Sequence, residues 1–365
     1  MNHHRRPILI IATLATFSWN TSLLAGIYLQ GEPLAIPKNA SFAQIRLILS
    51  ELRALGIPED ATQQPAEASL RPIYIQLNKE LEAKLNAGTA TPEEKIRLGA
   101  CFLRLNQPTK AIACLESVRK ELDPASTLQH QLYFNLAMAY SSDDLLLERA
   151  IDYQKQGLQY FPKPSDSTFT NWQFNRRSEL FFLKFLQEKQ LNRDRRITSQ
   201  NSITSIFGDF ESEWKKNKFT PGTASPTFLD SLYPDVLDFA VKLLSCFPQD
   251  NNLFWLYGEI LNVTGDPNSA AKVLDELVNA RQMSSNPILF EHSRILRRQA
   301  SESKEQTKTK TKEEEIKPEN DTPTLVKPTL FSGDLKYLLV GFISGIVVGY
   351  IGLLQLKQWF AYKKK

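Results

Sequence analysis

The sequence predicts an all-α protein attached to a membrane, and three observations support this prediction. Apolar residues recur at helical spacing along residues 39–299, where the alternation typical of β-strands is essentially missing. Helix start and stop signals interrupt these apolar stripes at short intervals. The segment from Tyr337 to Leu356 carries no charged residue, and a helix of that length rises about 30 Å, the thickness of the hydrocarbon core of a bilayer.

The N-terminus has the pattern of an export signal, because Arg5 and Arg6 precede an apolar run. Two interpretations remain open. The segment is cleaved, for instance after Ala25, or residues 7–29 stay as an uncleaved anchor. In both cases the arginines remain inside and the following chain is exported. Residues 1–29 are therefore predicted to be a signal peptide or an N-terminal signal anchor.

Composition predicts packed helical cores and excludes some function classes. Hydrophobic residues make up 42% of the chain, and the formal net charge is only +4, which gives no electrostatic support for nucleic-acid binding. The three cysteines, Cys101, Cys114 and Cys246, form no CxxC pair. They are expected to be small buried thiols on helix faces rather than a disulfide framework.

The region 39–90 contains two apolar stripes, each followed by a glycine that ends a helix. Gly56 is predicted to be a left-handed cap of the first helix, and Gly88 closes the second. Thr91, Pro92 and Glu94 then form an N-cap, a proline at the first helical position and a capping-box glutamate. The stripes comprise Phe42, Ile45, Leu49, Leu52 and Leu55, and then Ile73, Leu77, Leu81 and Leu85.

Three later stretches share one arrangement of small and large residues in two consecutive helices. The first contains Leu98, Gly99, Phe102, Ala111, Ile112 and Leu115, and ends near Pro124. The second contains Tyr133, Leu136, Ala137, Tyr140, Ala150, Ile151 and Gly157, and ends at Phe161 and Pro162. The third contains Phe254, Tyr257, Gly258, Leu261, Gly265, Asp266, Ala270, Ala271, Leu274 and Leu277. This arrangement resembles the tetratricopeptide repeat (TPR), a helix–turn–helix unit.

The resemblance implies a solenoid of helical hairpins whose concave face holds a protein or peptide partner. The chain lacks the Lys/Asn set with which some members of the family grip a C-terminal carboxylate. Trp255 is interpreted either as a partner-binding hot spot or as a residue packed against a neighbouring helix. By analogy with the repeat, the concave face comprises the first-helix residues Glu93, Ala100, Arg104, Gln131, Phe134, Ser141, Asn252, Trp255, Glu259 and Asn262.

The C-terminal part changes character twice. Residues 300–334 are rich in Lys, Glu, Thr and Pro, and this composition predicts a disordered tether. The apolar segment that follows is predicted to span a membrane at residues 335–357, and the terminal lysines place residues 358–365 in the cytoplasm. Within the span, Gly341, Gly345 and Gly349 lie on one face and would allow a second helix, including one from another copy of the chain, to approach closely.

The predicted organisation places the repeats outside the cytoplasm. Its parts are residues 1–29 (signal peptide or anchor), 39–90 (helical region), 91–163 (two TPR-like repeats), 164–226 (divergent region or insertion), 227–299 (C-terminal TPR-like repeats), 300–334 (linker), 335–357 (membrane helix) and 358–365 (basic tail).

The function predicted from these features is a membrane-tethered scaffold in an envelope complex. No GxSxG, HExxH, Walker-type or GxGxxG motif is present, so an enzyme, a cofactor and a metal site are not predicted. Two alternatives remain. One is a structural protein that self-associates through its membrane helix, and the other is a divergent enzyme without a recognisable motif.

Overall fold

The fold is all-α throughout the part of the chain that the computed structural model describes, as the apolar periodicity predicts. The described residues are 27–29, 32, 36, 40–57, 70–166, 171–195 and 203–315, with side chains to residue 302. Contacts divide the chain into residues 1–308 and residues 309–365. All helices except the end of the last one belong to the first unit.

The helices follow one another along the chain with connections of unequal length. They are α1 (Phe42–Leu55), α2 (Arg71–Asn86), α3 (Pro92–Arg104), α4 (Pro108–Glu121), α5 (Gln129–Tyr140), α6 (Leu147–Gln159), α7 (Trp172–Asp194), α8 (Phe210–Lys216), α9 (Pro226–Ser231), α10 (Val236–Cys246), α11 (Asn251–Val263), α12 (Pro267–Asp275) and α13 (Pro287–Glu315). A 3₁₀ turn at Asp144–Leu146 precedes α6, and a π-helical turn at Glu276–Ala280 follows α12.

Each of the three predicted helix–turn–helix stretches is a pair of consecutive helices in contact: α3 with α4, α5 with α6, and α11 with α12. The first and third pairs close with the same turn. The N–H of Gln107 donates to the carbonyl of Phe102, and the N–H of Asp266 donates to the carbonyl of Leu261, both at 2.8 Å. The residue before each donor has a positive φ, 54° and 97°, and the residue after it is the proline that begins the next helix.

Glycines mark the points where the helices of the first and third pairs cross. A Cβ atom at Gly99 would lie 2.6 Å from the side chain of Leu115, and a Cβ atom at Gly258 would overlap the side chain of Leu274. Gly99 and Gly258 occupy equivalent positions in their hairpins. Small residues at these positions therefore allow the close approach that the repeat pattern predicts.

Gly258→Leu is expected to lower the free energy of unfolding by about 1–3 kcal/mol, because a larger side chain has no room beside Leu274. The penalty should appear although leucine favours the helix by about 1 kcal/mol relative to glycine. Denaturant unfolding of the solubilised chain measures it. In the double variant Gly258→Leu/Leu274→Ala the two costs should be less than additive. Unchanged stability of Gly258→Leu would show that α11 and α12 do not meet at this residue.

The buried face of α2 differs from the predicted apolar stripe. Tyr74, Asn78 and Leu81 are buried, whereas Ile73 is 48% exposed and Leu85 is 37% exposed. The buried face is thus shifted toward Tyr74 and Asn78, while Leu81 belongs to both the predicted and the observed face. The shift brings the Tyr74 hydroxyl to the buried polar site described below, and this contact is not visible in the local sequence.

Gly56 does not form the predicted left-handed cap, since its φ is −76°. The end of α1 is satisfied in another way. The guanidinium group of Arg71 donates to the carbonyls of Ala54 and Leu55 at 3.3 and 3.2 Å. The N–H of Gly56 also donates to the carbonyl of Arg53 at 3.1 Å, so a side chain from the next helix and a right-handed backbone turn together close α1.

Helix α13 extends through Glu315, into the segment 300–334 that composition predicts to be a disordered tether. The Lys, Glu and Gln residues of this stretch are strong helix formers, and Arg298 pairs with Glu302 one turn later at 3.2 Å. Within the described part of the chain, no helix has the length and hydropathy needed to cross a bilayer. The predicted span at 335–357 with its glycines, the tail at 358–365 and residues 1–26 lie outside the described residues.

Candidate functional site

A segment that precedes α1 lies on the helices and forms the centre of the candidate site. We call it the strap and define it by Ile27, Tyr28, Leu29 and Glu32. The first three residues are almost completely buried. The strap belongs to no helix, and it contacts side chains of α2, α3, α5 and α7.

The side chain of Asn135 on α5 binds the backbone of the strap. The N–H of Tyr28 donates to Asn135 Oδ1 at 2.7 Å, and Asn135 Nδ2 donates to the Tyr28 carbonyl at 3.2 Å. One amide side chain therefore pairs with both backbone groups of one residue, as the neighbouring strand of a sheet would. This contact binds the backbone of Tyr28 without regard to the side chain that the backbone carries.

The side chain of Tyr28 fills an aromatic pocket with an acidic end. Its ring stacks on Phe134 at a centroid distance of 5.2 Å and lies edge-on to His130 at 5.8 Å. Its hydroxyl donates to Glu179 Oε1 at 2.7 Å. Burial, together with the nearby carboxylate of Glu179, raises the pKa of Tyr28 well above its usual value. The phenol is therefore a hydrogen-bond donor throughout the physiological pH range.

Gly157 and a neutral His130 shape the floor of the Tyr28 pocket. A Cβ atom at Gly157 in α6 would lie 2.5 Å from the ring of Phe134, so only glycine leaves room for this ring. His130 Nδ1 lies 2.8 Å from the carbonyl of Thr127 and must carry a proton to donate to it. Burial lowers the pKa of His130 to about 4, although the bond to Thr127 acts in the opposite direction.

Glu32 enters a second, basic pocket. Its Oε1 accepts from Arg104 Nε at 2.6 Å and from the Tyr74 hydroxyl at 2.8 Å. Arg104 Nη1 also donates to the carbonyl of Ser245 on α10 at 2.6 Å. The Arg104 and Glu32 side chains are only 3% and 7% exposed, so this is a buried ion pair that joins the strap to two helices.

A network of buried polar groups surrounds Glu179. Gln154 Nε2 donates to Glu179 Oε2 at 2.8 Å, and Lys242 Nζ donates to Asn175 Oδ1 at 2.8 Å. Burial lowers the pKa of Lys242 to about 8, against the opposing effect of Glu179. Burial raises the pKa of the neighbouring Cys246 thiol to about 12. The network therefore holds one carboxylate and one amine close enough to influence each other in the protein interior.

A separate polar centre lies where α13 packs on α11. Glu259 Oε1 accepts from Trp255 Nε1 at 2.9 Å and lies 2.8 Å from His292 Nδ1. The imidazole stacks on Phe219 at 3.6 Å, and Trp214 lies edge-on to it at 4.7 Å. All these groups are enclosed by aromatic rings. The centre joins the first part of α13 to the third hairpin.

The predicted concave-face residues are mostly covered by other parts of the chain. The strap covers Arg104 and Phe134, while Trp255 and Glu259 lie in the second polar centre. The remaining predicted residues are placed as follows: Asn262 is buried and accepts from the N–H of Gly222 at 2.8 Å, Ala100 and Ser141 are buried, and Glu93, Gln131 and Asn252 are half-buried.

Sequence reasoning missed the groups that hold the strap, namely Glu32, Tyr74, Asn135, Gln154 and Glu179. Asn135 interrupts an apolar stretch of α5, and such a polar residue on a buried face is the available local signal. Its partner is Tyr28, more than 100 residues earlier. The pairing itself has no signature in a single sequence.

Comparisons with known protein families, with characterised proteins and with solved structures return no match to this chain. Among the residues that the structure describes, no cluster of His, Cys, Asp and Glu has a metal-binding arrangement. Cys101, Cys114 and Cys246 are buried on helices, as predicted.

Proposed function

We propose that this protein is a membrane-tethered, extracytoplasmic scaffold of the TPR type, which binds a protein or peptide partner in an envelope complex. The observation that carries the proposal is the bidentate contact between Asn135 and the backbone of Tyr28. Residues of the first helices, Arg104 on α3 and Asn135 on α5, hold a non-helical segment in the region where the repeat pattern predicts the ligand. The same groups suit a segment from another protein.

The membrane tether rests on sequence, from the predicted span at 335–357 and the export signal. The burial of Ile27–Leu29 against the helices favours a targeting segment that ends before Ile27. A bilayer anchor that reached Leu29 would need the same residues in the lipid. This consideration supports cleavage near Ala25, or an anchor that ends earlier than residue 29.

Affinity capture of the full-length, tagged chain from crosslinked membranes tests the proposal. Wild type should retain a distinct partner protein, and Arg104→Ala should lose it, because Arg104 lies in the binding region. The matched control is Arg119→Ala, which removes an arginine from a half-exposed position on α4. If the chain captures only copies of itself, the self-associating structural role is favoured. Equal capture by wild type and Arg104→Ala would contradict binding at this face.

A further inference from the structure

The strap occupies two side-chain pockets whose chemistry differs and whose separation is fixed. In the first pocket the ring of Tyr28 stacks on Phe134 and its hydroxyl donates to Glu179. The second holds a carboxylate through Arg104 and Tyr74. Together with Asn135 between them, these residues form what we call the strap groove. In the strap the two pockets hold a hydroxyl-bearing aromatic residue and an acidic residue four positions later, and a turn joins the two, since the N–H of Glu32 donates to the carbonyl of Leu29 at 3.1 Å.

The basic pocket is not fully used by the strap. Arg104 Nε and the Tyr74 hydroxyl both bond the same oxygen, Oε1 of Glu32. Arg104 Nη2 is buried and has no hydrogen-bond partner among the described residues. An arginine binds a carboxylate best when Nε and Nη2 engage its two oxygens together. A carboxylate placed in that orientation would gain a charge-assisted bond that the strap leaves unmade.

The lining of the groove is compatible with an open state. Arg104, Asn135 and Glu179 project polar groups toward the strap, and such groups can be hydrated when the strap leaves. Departure of the strap also uncovers the ring of Phe134 and the apolar contacts of Ile27 and Leu29, so a partner segment that covers them stabilises the open state. The strap is also outside the helices and is bound through side chains, so its departure breaks no helix.

We infer that the strap is an exchangeable internal ligand, and that the groove takes from a partner a segment with an aromatic hydroxyl followed four residues later by a carboxylate, with a turn before the carboxylate as in the strap. The inference rests on the proposed binding function and specifies its ligand. The partner segment competes with the strap for the same pockets, so its apparent affinity is reduced by the fraction of closed molecules. Displacement of the strap is then the event that opens the scaffold.

A synthetic, fluorescent peptide of residues 26–36 tests the inference on the full-length chain in detergent. Tyr28→Ala/Glu32→Ala weakens the strap and should increase the affinity for the added peptide by about tenfold or more relative to wild type. Addition of Arg104→Ala to this variant should abolish the gain. A control peptide with alanine in place of the tyrosine and glutamine in place of the glutamate should bind poorly. Absence of peptide binding to the weakened-strap variant would overturn the inference.

Hydrogen exchange on the wild type gives a readout that does not depend on the folding of a variant. The amide of Tyr28 should exchange through a local opening, well before the amides of α5 exchange. If both exchange together in global unfolding, the strap is a permanent part of the core and the inference fails.

Competition at the capture step separates this inference from the proposed function. The peptide of residues 26–36 should release the captured partner from the wild type. If a partner is captured and the peptide does not release it, the scaffold function stands and the assignment of this groove falls. Release of a second copy of the chain, rather than of a different protein, would also overturn the assignment to a partner segment.

Discussion

Trp255→Ala is expected to lower the free energy of unfolding by about 3–5 kcal/mol, the range measured when a large buried side chain is truncated. The indole is fully buried and stacks on Trp214 at a centroid distance of 6.0 Å. Its removal leaves a cavity and also deprives Glu259 of a donor at 2.9 Å, although His292 remains beside that carboxylate. The cavity and the lost hydrogen bond both lower the free energy of unfolding.

Denaturant unfolding followed by circular dichroism measures the effect, and Phe290→Ala is the matched control. Phe290 lies on α13 and is 48% exposed, so its truncation should change stability by less than about 1 kcal/mol. Trp255→Phe should fall between the two, since it retains most of the apolar volume. If Trp255→Ala melted like wild type and lost only its partner, Trp255 would be a binding hot spot and the packing described for α11 would be wrong.

The sequence left both roles of Trp255 open for a physical reason. A first-helix position of the hairpin faces the ligand only when no other part of the chain covers it. The covering groups here are Trp214 and His292, which come from the divergent region and from α13. Neither segment carries a repeat pattern that would predict its position.

Local features of the fold were predictable because they depend on neighbouring residues. Thr91 and Glu94 form the capping box that their spacing indicates, with bonds of 3.0 and 3.2 Å. Gly99 and Gly258 lie at helix crossings, as the arrangement of small and large residues predicts. In each case the signal and the structure it specifies lie within one hairpin.

The strap was not predictable, because its residues carry a second, competing signal. Ile27 and Leu29 continue the apolar run of the targeting segment, and hydropathy alone cannot distinguish burial in lipid from burial in protein. The sequence also could not show whether the partner of a charged residue belongs to a ligand or to the same chain. Arg104 was expected at a ligand-binding face, and it does bind a carboxylate, but that carboxylate belongs to Glu32 of the same chain.

Glu179→Ala is expected to lower the free energy of unfolding by about 3–5 kcal/mol near neutral pH, because it removes the carboxylate of a buried polar network. The Tyr28 hydroxyl loses its acceptor at 2.7 Å, and Gln154 loses the bond to Oε2 at 2.8 Å. Lys242 also loses the negative charge that opposes the effect of burial on its pKa. Chemical denaturation at fixed pH measures the total.

The stability lost in Glu179→Ala should depend on pH, and the titration of Lys242 determines the direction of this dependence. Its folded pKa, about 8, is below its ordinary value of 10.5, so the folded state favours the neutral amine. Without Glu179 the folded pKa falls further. At pH values between that lower pKa and about 8, folded Glu179→Ala binds fewer protons than folded wild type. The stability of the variant therefore rises more steeply with pH than the stability of wild type does. The penalty should therefore be larger at about pH 6 than at about pH 9.

Two companion variants separate the charge of Glu179 from its hydrogen bonds. Glu179→Gln keeps the size and an acceptor for Tyr28, so it should cost less than Glu179→Ala and retain the pH dependence that Lys242 causes. Lys242→Met in the Glu179→Ala background removes the titrating amine, and the stability difference from Lys242→Met alone should be the same at both pH values. A penalty for Glu179→Ala that did not change between about pH 6 and about pH 9 would mean that Glu179 and Lys242 do not interact. In that case the buried carboxylate of Glu179 would act only as a hydrogen-bond acceptor for Tyr28 and Gln154.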